Sequence, residues 1–245
     1  MECFIVNGGD VDLSSNTFIL RDEEARHAIR VLRLREGETL MATTLNGFCY
    51  RAKLVLTEQP AKNEWIAKCS IDEALPEYNE SQADIQLIQG IPQQQSKLEE
   101  IVEKCTELGI RSIIPATSKR TEKKSVNHER MSRIIQTACK QVSRARMPDF
   151  TEVLSLTDAL RKAHSEARKI FILHESAPVE DTLLKHLLLQ KVKKITLVIG
   201  PEGGFDEDEI FLATSDFGAT VTSLGPRRLR AETAAVVAVS LASSV

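Results

Sequence analysis

The 245-residue chain has little of what marks several common protein classes. It contains no run of eighteen apolar residues, which a membrane-spanning helix requires. Its first residues, MECFIVNGGD, lack the basic start and long apolar stretch of a secretory signal. We therefore expect a cytoplasmic protein that has no membrane partner.

Cysteine and histidine occur without the spacing that metal sites use. The five cysteines include no C-x-x-C pair, and the five histidines form no H-E-x-x-H motif. We predict no metal site and no disulfide framework. Aromatic residues make up 4% of the chain, which argues against a broad aromatic platform for stacked bases.

Charge is unevenly distributed along the chain. A formal net charge of -3 argues by itself against a nucleic-acid partner, because phosphate binding needs Lys and Arg. Between Arg111 and Asp149, however, ten Lys and Arg residues stand against three acids. Such a stretch is either a solvated surface or a contact surface for a polyanion, and composition leaves both open.

The first 75 residues alternate short apolar runs with turn signals, the pattern of a small β-barrel. The runs are CFIV, TFIL, ETLMAT, CYRAKLVL and WIAKCSI. One interruption, DEEARHAIRVLRL, predicts a helix with Ala25, Ala28, Ile29 and Leu32 on its buried face. The polar stretch EALPEYNESQAD at 73–84 has the composition of a linker. We predict a barrel domain over 1–73 and a second domain over 82–245.

Beyond that stretch, strands alternate with longer helical segments. The apolar runs DIQLIQG, IRSIIPA, KIFILHE, KITLVIG and ATVTSLG predict a mostly parallel sheet covered on both faces, and hence an α/β fold. Capping-box spacing predicts helix starts at Ser96, with Glu99, and at Asp206, with Glu209.

Two glycine turns follow predicted strands, in LVIGPEGGF and in SLGPRRLRAETAA. Ligands of parallel sheets bind beyond the carboxyl ends of the strands, so the two turns are expected to share one pocket. Neither turn has a Walker or dinucleotide-binding pattern, and Glu202, Asp206 and Asp208 lie where a phosphate would bind. The pattern favours a neutral or cationic ligand, for which S-adenosylmethionine with its sulfonium is one example. The alternative is that each turn is only a sharp connection.

Four blocks carry a resemblance to a known family: HAIRVLRLREGE at 27–38, KLEEIVEKCTELGI at 97–110, IGPEGGFDEDE at 199–209 and LGPRRLRAETAA at 224–235. By these blocks the chain resembles the RsmE-like methyltransferases of the SPOUT superfamily, which methylate N3 of a uridine in 16S ribosomal RNA. The resemblance implies a PUA-like β-barrel, then a SPOUT-type parallel sheet with a C-terminal trefoil knot. It also implies a homodimer, S-adenosyl-L-methionine as cofactor, and 16S rRNA or the assembled small ribosomal subunit as partner.

The resemblance further implies site residues. Cofactor contacts are expected from the two turns, at Ile199, Gly200, Pro201, Glu202, Gly203, Gly204, Leu224, Gly225, Leu229 and Thr233. RNA contacts are expected at Arg30, Arg33, Lys97, Arg120 and Arg144. The chain departs from the family pattern at Thr137, Lys140 and Arg228, so family roles at those positions do not carry over.

Arg230 and Glu232, in the block LRAETA, are the expected catalytic residues. Methylation of uridine N3 removes a proton and leaves negative charge on the ring, which an arginine stabilises. We expect Arg230 in that role and Glu232 as the proton acceptor. The alternatives are that Arg230 anchors Glu232 and that Glu232 only complements the helix dipole.

Two other functions remain open from the sequence. The first is a SPOUT enzyme with another target, such as N1 of a guanosine or a ribose hydroxyl. The second is a non-catalytic RNA-binding protein of ribosome assembly. The order of the four blocks favours uridine N3.

Overall fold

The computed structural model describes residues 3–62 and 64–245, and these form two compact units. The first unit comprises the chain up to Glu80 together with Gln136–Met147. The second comprises Ser81–Ile135 and Pro148–Val245. No pattern in the sequence indicates that 136–147 belongs with the first unit. The functional domain limits of 1–73 and 82–245 remain a prediction.

The first unit is built on a six-stranded sheet of order β1-β4-β5-β6-β3-β2. β1 and β4 pair in parallel, and the other neighbours are antiparallel. The strands are β1 Cys3–Ile5, β2 Val11–Asp12, β3 Thr17–Arg21, β4 Thr39–Thr43, β5 Phe48–Ala61 and β6 Glu64–Pro76. Each of the five apolar runs contributes one of these strands, as predicted. β6 reaches Pro76, so the predicted linker at 73–84 begins inside a strand.

A short helix closes over this sheet. α1, Asp22–Arg26, continues into a π-helical turn over His27–Val31. Ala25 and Ala28 are buried in the core of the first unit, and Ile29 and Leu32 pack against it. The predicted buried face is therefore confirmed.

The second unit is built on a parallel sheet of order β10-β8-β7-β12-β11-β13, with β9 beside β8. All pairings between its described strands are parallel, which confirms the predicted sheet. The strands are β7 Asp84–Gly90, β8 Ser112–Thr117, β9 Asp149–Phe150, β10 Leu154–Ser155, β11 Lys169–Leu173, β12 Lys194–Ile199 and β13 Thr220–Thr222.

Helices cover both faces of the parallel sheet. Leu87 and Ile88 point to opposite faces because they are consecutive in β7, and both are fully buried. The helices are α2 Gln95–Glu107, α3 His128–Gln141, α4 Leu156–Ser165, α5 Leu183–Gln190, α6 Glu207–Phe217 and α7 Ala231–Ser243. No helix in the described ranges is long and apolar enough to cross a membrane.

The strand register places the carboxyl ends of β7, β12, β11 and β13 next to one another. Leu173, at the end of β11, pairs with Ile199 of β12 on one side and with Thr222 of β13 on the other. On its far side β12 pairs with β7, where Ile199 lies opposite Gln89. The turns that follow these strands therefore emerge at the same edge of the sheet.

Candidate functional site

A cavity of about 960 Å³ lies at this edge. Both glycine turns line it, so they share one pocket, as predicted. β11 lies between β12 and β13, and its end adds His174, Glu175 and Ser176 to the lining. These residues are not among the site residues expected from the sequence. The run KIFILHE predicts a strand, however, and ligands of parallel sheets bind beyond the carboxyl ends of the strands, so this signal points to them.

Most of the predicted cofactor residues line the cavity. They are Ile199, Gly200, Pro201, Glu202, Gly203, Gly204, Leu224, Gly225 and Leu229. Thr233 is the exception, since it is exposed on α7 and outside the lining. Arg230 and Glu232 also belong to the wall.

The turn after β12 depends on close backbone contacts. A Cβ on Gly90, at the end of β7, would lie 2.5 Å from the backbone nitrogen of Pro201, so only glycine fits there. Gly204 has φ +67°, and its N–H donates to the carbonyl of Pro201 at 2.9 Å. α6 then begins with a complete capping box between Asp206 and Glu209, as predicted.

Glu202 is held by residues that follow β7. Its carboxylate accepts hydrogen bonds from the backbone N–H of Gln93, at 3.2 and 3.3 Å, and from Nζ of Lys97 at 3.3 Å. Burial raises the pKa of Glu202, but hydrogen bonds from the backbone and from Lys97 outweigh it and bring the pKa below 4.5. The turn therefore carries a charged carboxylate at neutral pH.

The loop after β8 holds the other side of the same turn. Nη1 of Arg120 donates to the carbonyl of Gly203 at 2.6 Å. The backbone N–H of Lys119 donates to Glu209 at 2.8 Å, and Lys119 Nζ lies 2.7 Å from both Asp206 and Asp208. Three acids after β12, Glu202, Asp206 and Asp208, are therefore each paired with a lysine side chain.

This pairing bears on the expectation that Glu202, Asp206 and Asp208 disfavour a phosphate, because each of these acids is paired with a lysine. The lining has five cationic side chains, Lys97, Arg120, Arg227, Arg228 and Arg230, against four acidic ones, Glu175, Glu202, Glu207 and Glu232. The net charge of the lining therefore does not favour a cationic ligand. Any such preference has to come from individual carboxylates.

The turn after β13 is stabilised by its own serine. The N–H of Gly225 donates to Oγ of Ser223 at 2.9 Å, and this hydroxyl donates to the carbonyl of Gly225 at 3.1 Å. Gly225 has φ +107°, a conformation that side chains disfavour. The main chain of both turns is thus kept free of bulk at the cavity wall.

Arg230 and Glu232 differ sharply in their surroundings. Arg230 is the N-cap residue of α7, is exposed, and has no ion-pair partner in the described chain. Glu232 lies in the first turn of α7 and is only 9% exposed, and its Oε2 is buried without a hydrogen-bond partner among the described residues. The two side chains form no ion pair with each other, so Arg230 does not anchor Glu232.

The two glycine turns test whether the site suits S-adenosylmethionine. A Cβ at Gly90 would clash with Pro201, and Gly204 and Gly225 have positive φ, so the wall consists of bare main chain that can contact a ligand. The buried, unpartnered oxygen of Glu232 is costly unless a ligand of this cavity supplies a donor. The residues present therefore fit this cofactor.

The residues predicted to bind RNA fall in different surroundings. Arg30 and Arg33 are exposed on the first unit, where the guanidinium of Arg30 lies 5.0 Å from the ring centre of Trp65. Lys97 and Arg120 line the cavity of the second unit, where they bond to the turn after β12.

Arg144 corrects one of these predictions. Its side chain is 1% exposed and lies 2.5 Å from Glu80, itself 8% exposed, while its backbone carbonyl accepts from Thr43. The neighbouring Arg146 pairs with Glu77. Arg144 is inaccessible to a phosphate, because its side chain is buried in the ion pair with Glu80. This pair joins 136–147 to the rest of the first unit.

No cysteine of the described chain lines the cavity. All five cysteines are buried free thiols. Within residues 3–62 and 64–245, no group of three or more His, Cys, Asp or Glu side chains is arranged to hold a metal ion.

Comparison with known proteins agrees with the resemblance seen in the sequence. An RNA methyltransferase domain matches residues 79–243, and an RNA methyltransferase PUA domain matches residues 20–58. The ribosomal RNA small subunit methyltransferase E of Bacillus subtilis is 29% identical over 236 residues, covering 93% of this chain and 90% of the relative. The protein of that name from Synechocystis is 31% identical over 229 residues, covering 91% and 72%.

A solved structure agrees as well. Ribosomal RNA small subunit methyltransferase E from Neisseria gonorrhoeae, bound to S-adenosyl methionine, superposes with a TM-score of 0.78 at 29% identity, covering 98% of this chain and 95% of that one. The α/β fold and the PUA-like domain are thereby confirmed. The chain belongs to the RNA methyltransferase family that includes the ribosomal RNA small subunit methyltransferases E.

Proposed function

We propose that the chain uses S-adenosyl-L-methionine to methylate N3 of a specific uridine in 16S ribosomal RNA. The observation that carries the proposal is the buried, unpartnered Oε2 of Glu232, on the same cavity as two glycine turns and the unpaired Arg230. The names of the relatives support the class of substrate, and the solved relative supports the cofactor.

The two glycine turns hold the cofactor. When bound, S-adenosylmethionine supplies an electrophilic methyl group. Its contacts come from Ile199 to Gly204 and from Leu224, Gly225 and Leu229, and Thr233 is left out because it lies outside the lining. The bonds from Lys97 and Arg120 to this turn keep it in place before the cofactor arrives.

Glu232 and Arg230 act on the uridine. Glu232 takes the N3 proton, since its carboxylate lines the cavity and no donor of the described chain is bonded to Oε2. Arg230 stabilises the negative charge that then spreads over the ring carbonyls, because its guanidinium is not neutralised by a neighbouring acid. Glu232 thus accepts the proton, and Arg230 stabilises the resulting anion.

Cationic side chains bind the phosphates of the RNA. Arg30 and Arg33 bind phosphates from the first unit. Lys97 and Arg120 bind them at the cavity edge in addition to their bonds to the turn, because an ammonium has three N–H donors and a guanidinium five. Binding should therefore weaken steeply as salt rises.

The proposal includes a C-terminal trefoil knot and a homodimer in the cytoplasm. In support of the knot, the chain around the start of α5 bonds to Ser223, directly after β13. The Ser223 N–H donates to the carbonyl of Asp181 at 3.0 Å, and the Leu183 N–H donates to the carbonyl of Ser223 at 2.9 Å. In support of the dimer, α5 exposes Leu184, Leu188 and Leu189. A crystal structure traced through 174–231, together with light scattering in solution, tests both.

Mass spectrometry of small-subunit RNA tests the activity. RNA from cells that lack the protein is compared before and after their subunits are treated with protein and S-adenosylmethionine. We expect one 3-methyluridine to be restored. No methylation, or a mark on a guanosine or a ribose, would contradict the proposal, and absent cofactor binding by calorimetry would point to a non-catalytic assembly protein.

The same assay tests the two catalytic residues. Arg230→Ala should lower kcat by roughly 100- to 1000-fold. Glu232→Gln should lower it by roughly 100-fold or more, because the amide cannot take the proton. Wild-type turnover by either variant at saturating substrates would exclude that residue from the transition state.

A further inference from the structure

Phe211 is an exposed aromatic residue on the wall of the cavity. α6 presents Glu207, Ile210, Phe211 and Thr214 to the cavity, and their spacing places them on one helix face. The residue is 71% exposed. Isolated apolar side chains are common on surfaces, but this one belongs to the lining of the cavity.

Arg228 lies on the wall of the same cavity. It follows Gly225 in the turn after β13, and its side chain is 78% exposed. Its one ion pair, to Glu175 at 3.2 Å, is with a side chain that is 63% exposed. Such a solvated pair is worth little, so an incoming anion can displace Glu175 at small cost.

The contrast with Lys97 and Arg120 favours Arg228 over those two as a phosphate ligand. Lys97 and Arg120 already donate to Glu202 and to the carbonyl of Gly203. Arg228 has no such bond to the main chain of a turn. Its guanidinium can therefore turn towards a ligand without loosening the wall.

The cavity also has room for a second ligand beside the cofactor. Its volume of about 960 Å³ is near the upper end of the range for small-molecule sites. An enzyme that acts on a base must take the base out of its stack, and single-stranded RNA is usually held by aromatic rings together with cations. Phe211 and Arg228 provide one of each.

We propose that Phe211 and Arg228 form an RNA subsite of the cavity, in which Phe211 stacks on a base of the bound strand and Arg228 binds an adjacent phosphate. This inference rests on the proposed function, since it takes the ligand to be RNA. It adds a single stacking residue to a chain whose low aromatic content excludes a broad platform.

Conservative and disruptive variants of each residue test the subsite. The probe is the small ribosomal subunit purified from cells that lack the protein, and its Kd is measured at several salt concentrations. We expect Phe211→Leu to raise this Kd about 5-fold or more, and Phe211→Tyr, which keeps a ring, to leave it nearly unchanged. Arg228→Gln should lower the salt slope by about one, whereas Arg228→Lys should not.

Two controls separate stacking from general damage. Arg161→Gln removes an exposed cation of α4 that does not line the cavity, and should leave the Kd and its salt slope nearly unchanged. Calorimetric affinity for S-adenosylmethionine should be the same in the Phe211 variants as in the wild type.

The outcomes distinguish this inference from the proposed function. Equal subunit affinity of Phe211→Leu and wild type, or an unchanged salt slope in Arg228→Gln, overturns the subsite even if methylation is normal. A shift of oligomeric state in Phe211→Leu with unchanged subunit affinity overturns it in favour of a second copy covering α6. If the wild type binds subunits but methylates nothing, the proposed function is overturned. The subsite is then still decided by the Kd of Phe211→Leu relative to wild type and by the salt slope of Arg228→Gln.

Discussion

Nη1 of Arg120 donates a hydrogen bond of 2.6 Å to the backbone carbonyl of Gly203. A Cβ on Gly203 would lie 3.2 Å from Cβ of Arg120, so the arginine packs directly on the glycine. The loop after β8 is thereby joined to the turn after β12. A cation that the sequence suggested for RNA is thus also part of the wall of the proposed cofactor site.

Removal of this side chain should weaken cofactor binding. Arg120→Ala leaves the carbonyl of Gly203 without its charged donor, and a hydrogen bond to a charged group contributes about 1.5–3 kcal/mol. We expect the Kd for S-adenosylmethionine to rise roughly 10-fold by calorimetry, and Arg120→Lys to recover part of the loss. Unchanged affinity in Arg120→Ala would show that the turn is held without this bond.

Cofactor binding should not vary with pH through Glu202 near neutrality. The pKa of Glu202 is lowered in the folded protein, so its ionised form is the stabilised one. The stabilisation that the ionised carboxylate gives is complete above its unfolded-state pKa of about 4.5. It is lost as pH falls through the lower pKa of the folded state. We expect calorimetric affinities of wild type and Glu202→Gln to keep a constant ratio between pH 6 and 8. A ratio that changes tenfold across this interval would contradict the assignment.

The ion pair between Arg144 and Glu80 should matter for stability. Glu80→Ala leaves a guanidinium buried without its partner carboxylate, which costs about 3–5 kcal/mol of unfolding free energy. Urea denaturation measures the loss. Glu73→Ala is the matched control, because the pair of Glu73 with Arg51 is about half exposed and should contribute less than about 1 kcal/mol. Equal losses in the two variants would argue against the buried pair.

The cysteines should be unreactive in the folded protein. Burial raises the pKa of Cys3, Cys69, Cys105 and Cys139 to about 12 and that of Cys49 to about 11. The thiolate is the nucleophile, and almost none forms at pH 8. We expect a disulfide reagent to label none of the five thiols quickly in the native state and all five after unfolding. Rapid native labelling would mean that a thiol is more accessible than its burial indicates.

Capping-box spacing predicted a helix start correctly where the two residues of the box are bonded to each other. The capping box of Asp206 and Glu209 is present because its two members lie three residues apart on one turn. The same spacing at Ser96 and Glu99 predicted a cap that does not form, and α2 begins at Gln95 instead. Glu99 binds Arg130, which is 31 residues away, at 2.5 and 2.7 Å. A charged partner from another helix therefore outweighed the local pattern.

The sequence by itself determined the ten strands that contain the apolar runs, the buried face of the first helix and the two glycine turns, because each depends on residues a few positions apart. The two-residue strands β2, β9 and β10 have no such local signal. Only the tertiary structure decided which cations are available to a ligand. Arg144 is buried against Glu80, Arg120 is bound to Gly203, and Arg228 stays exposed at the cavity. The physical reason is that strand order and register bring distant charges together, and periodicity along one segment carries no information about that pairing.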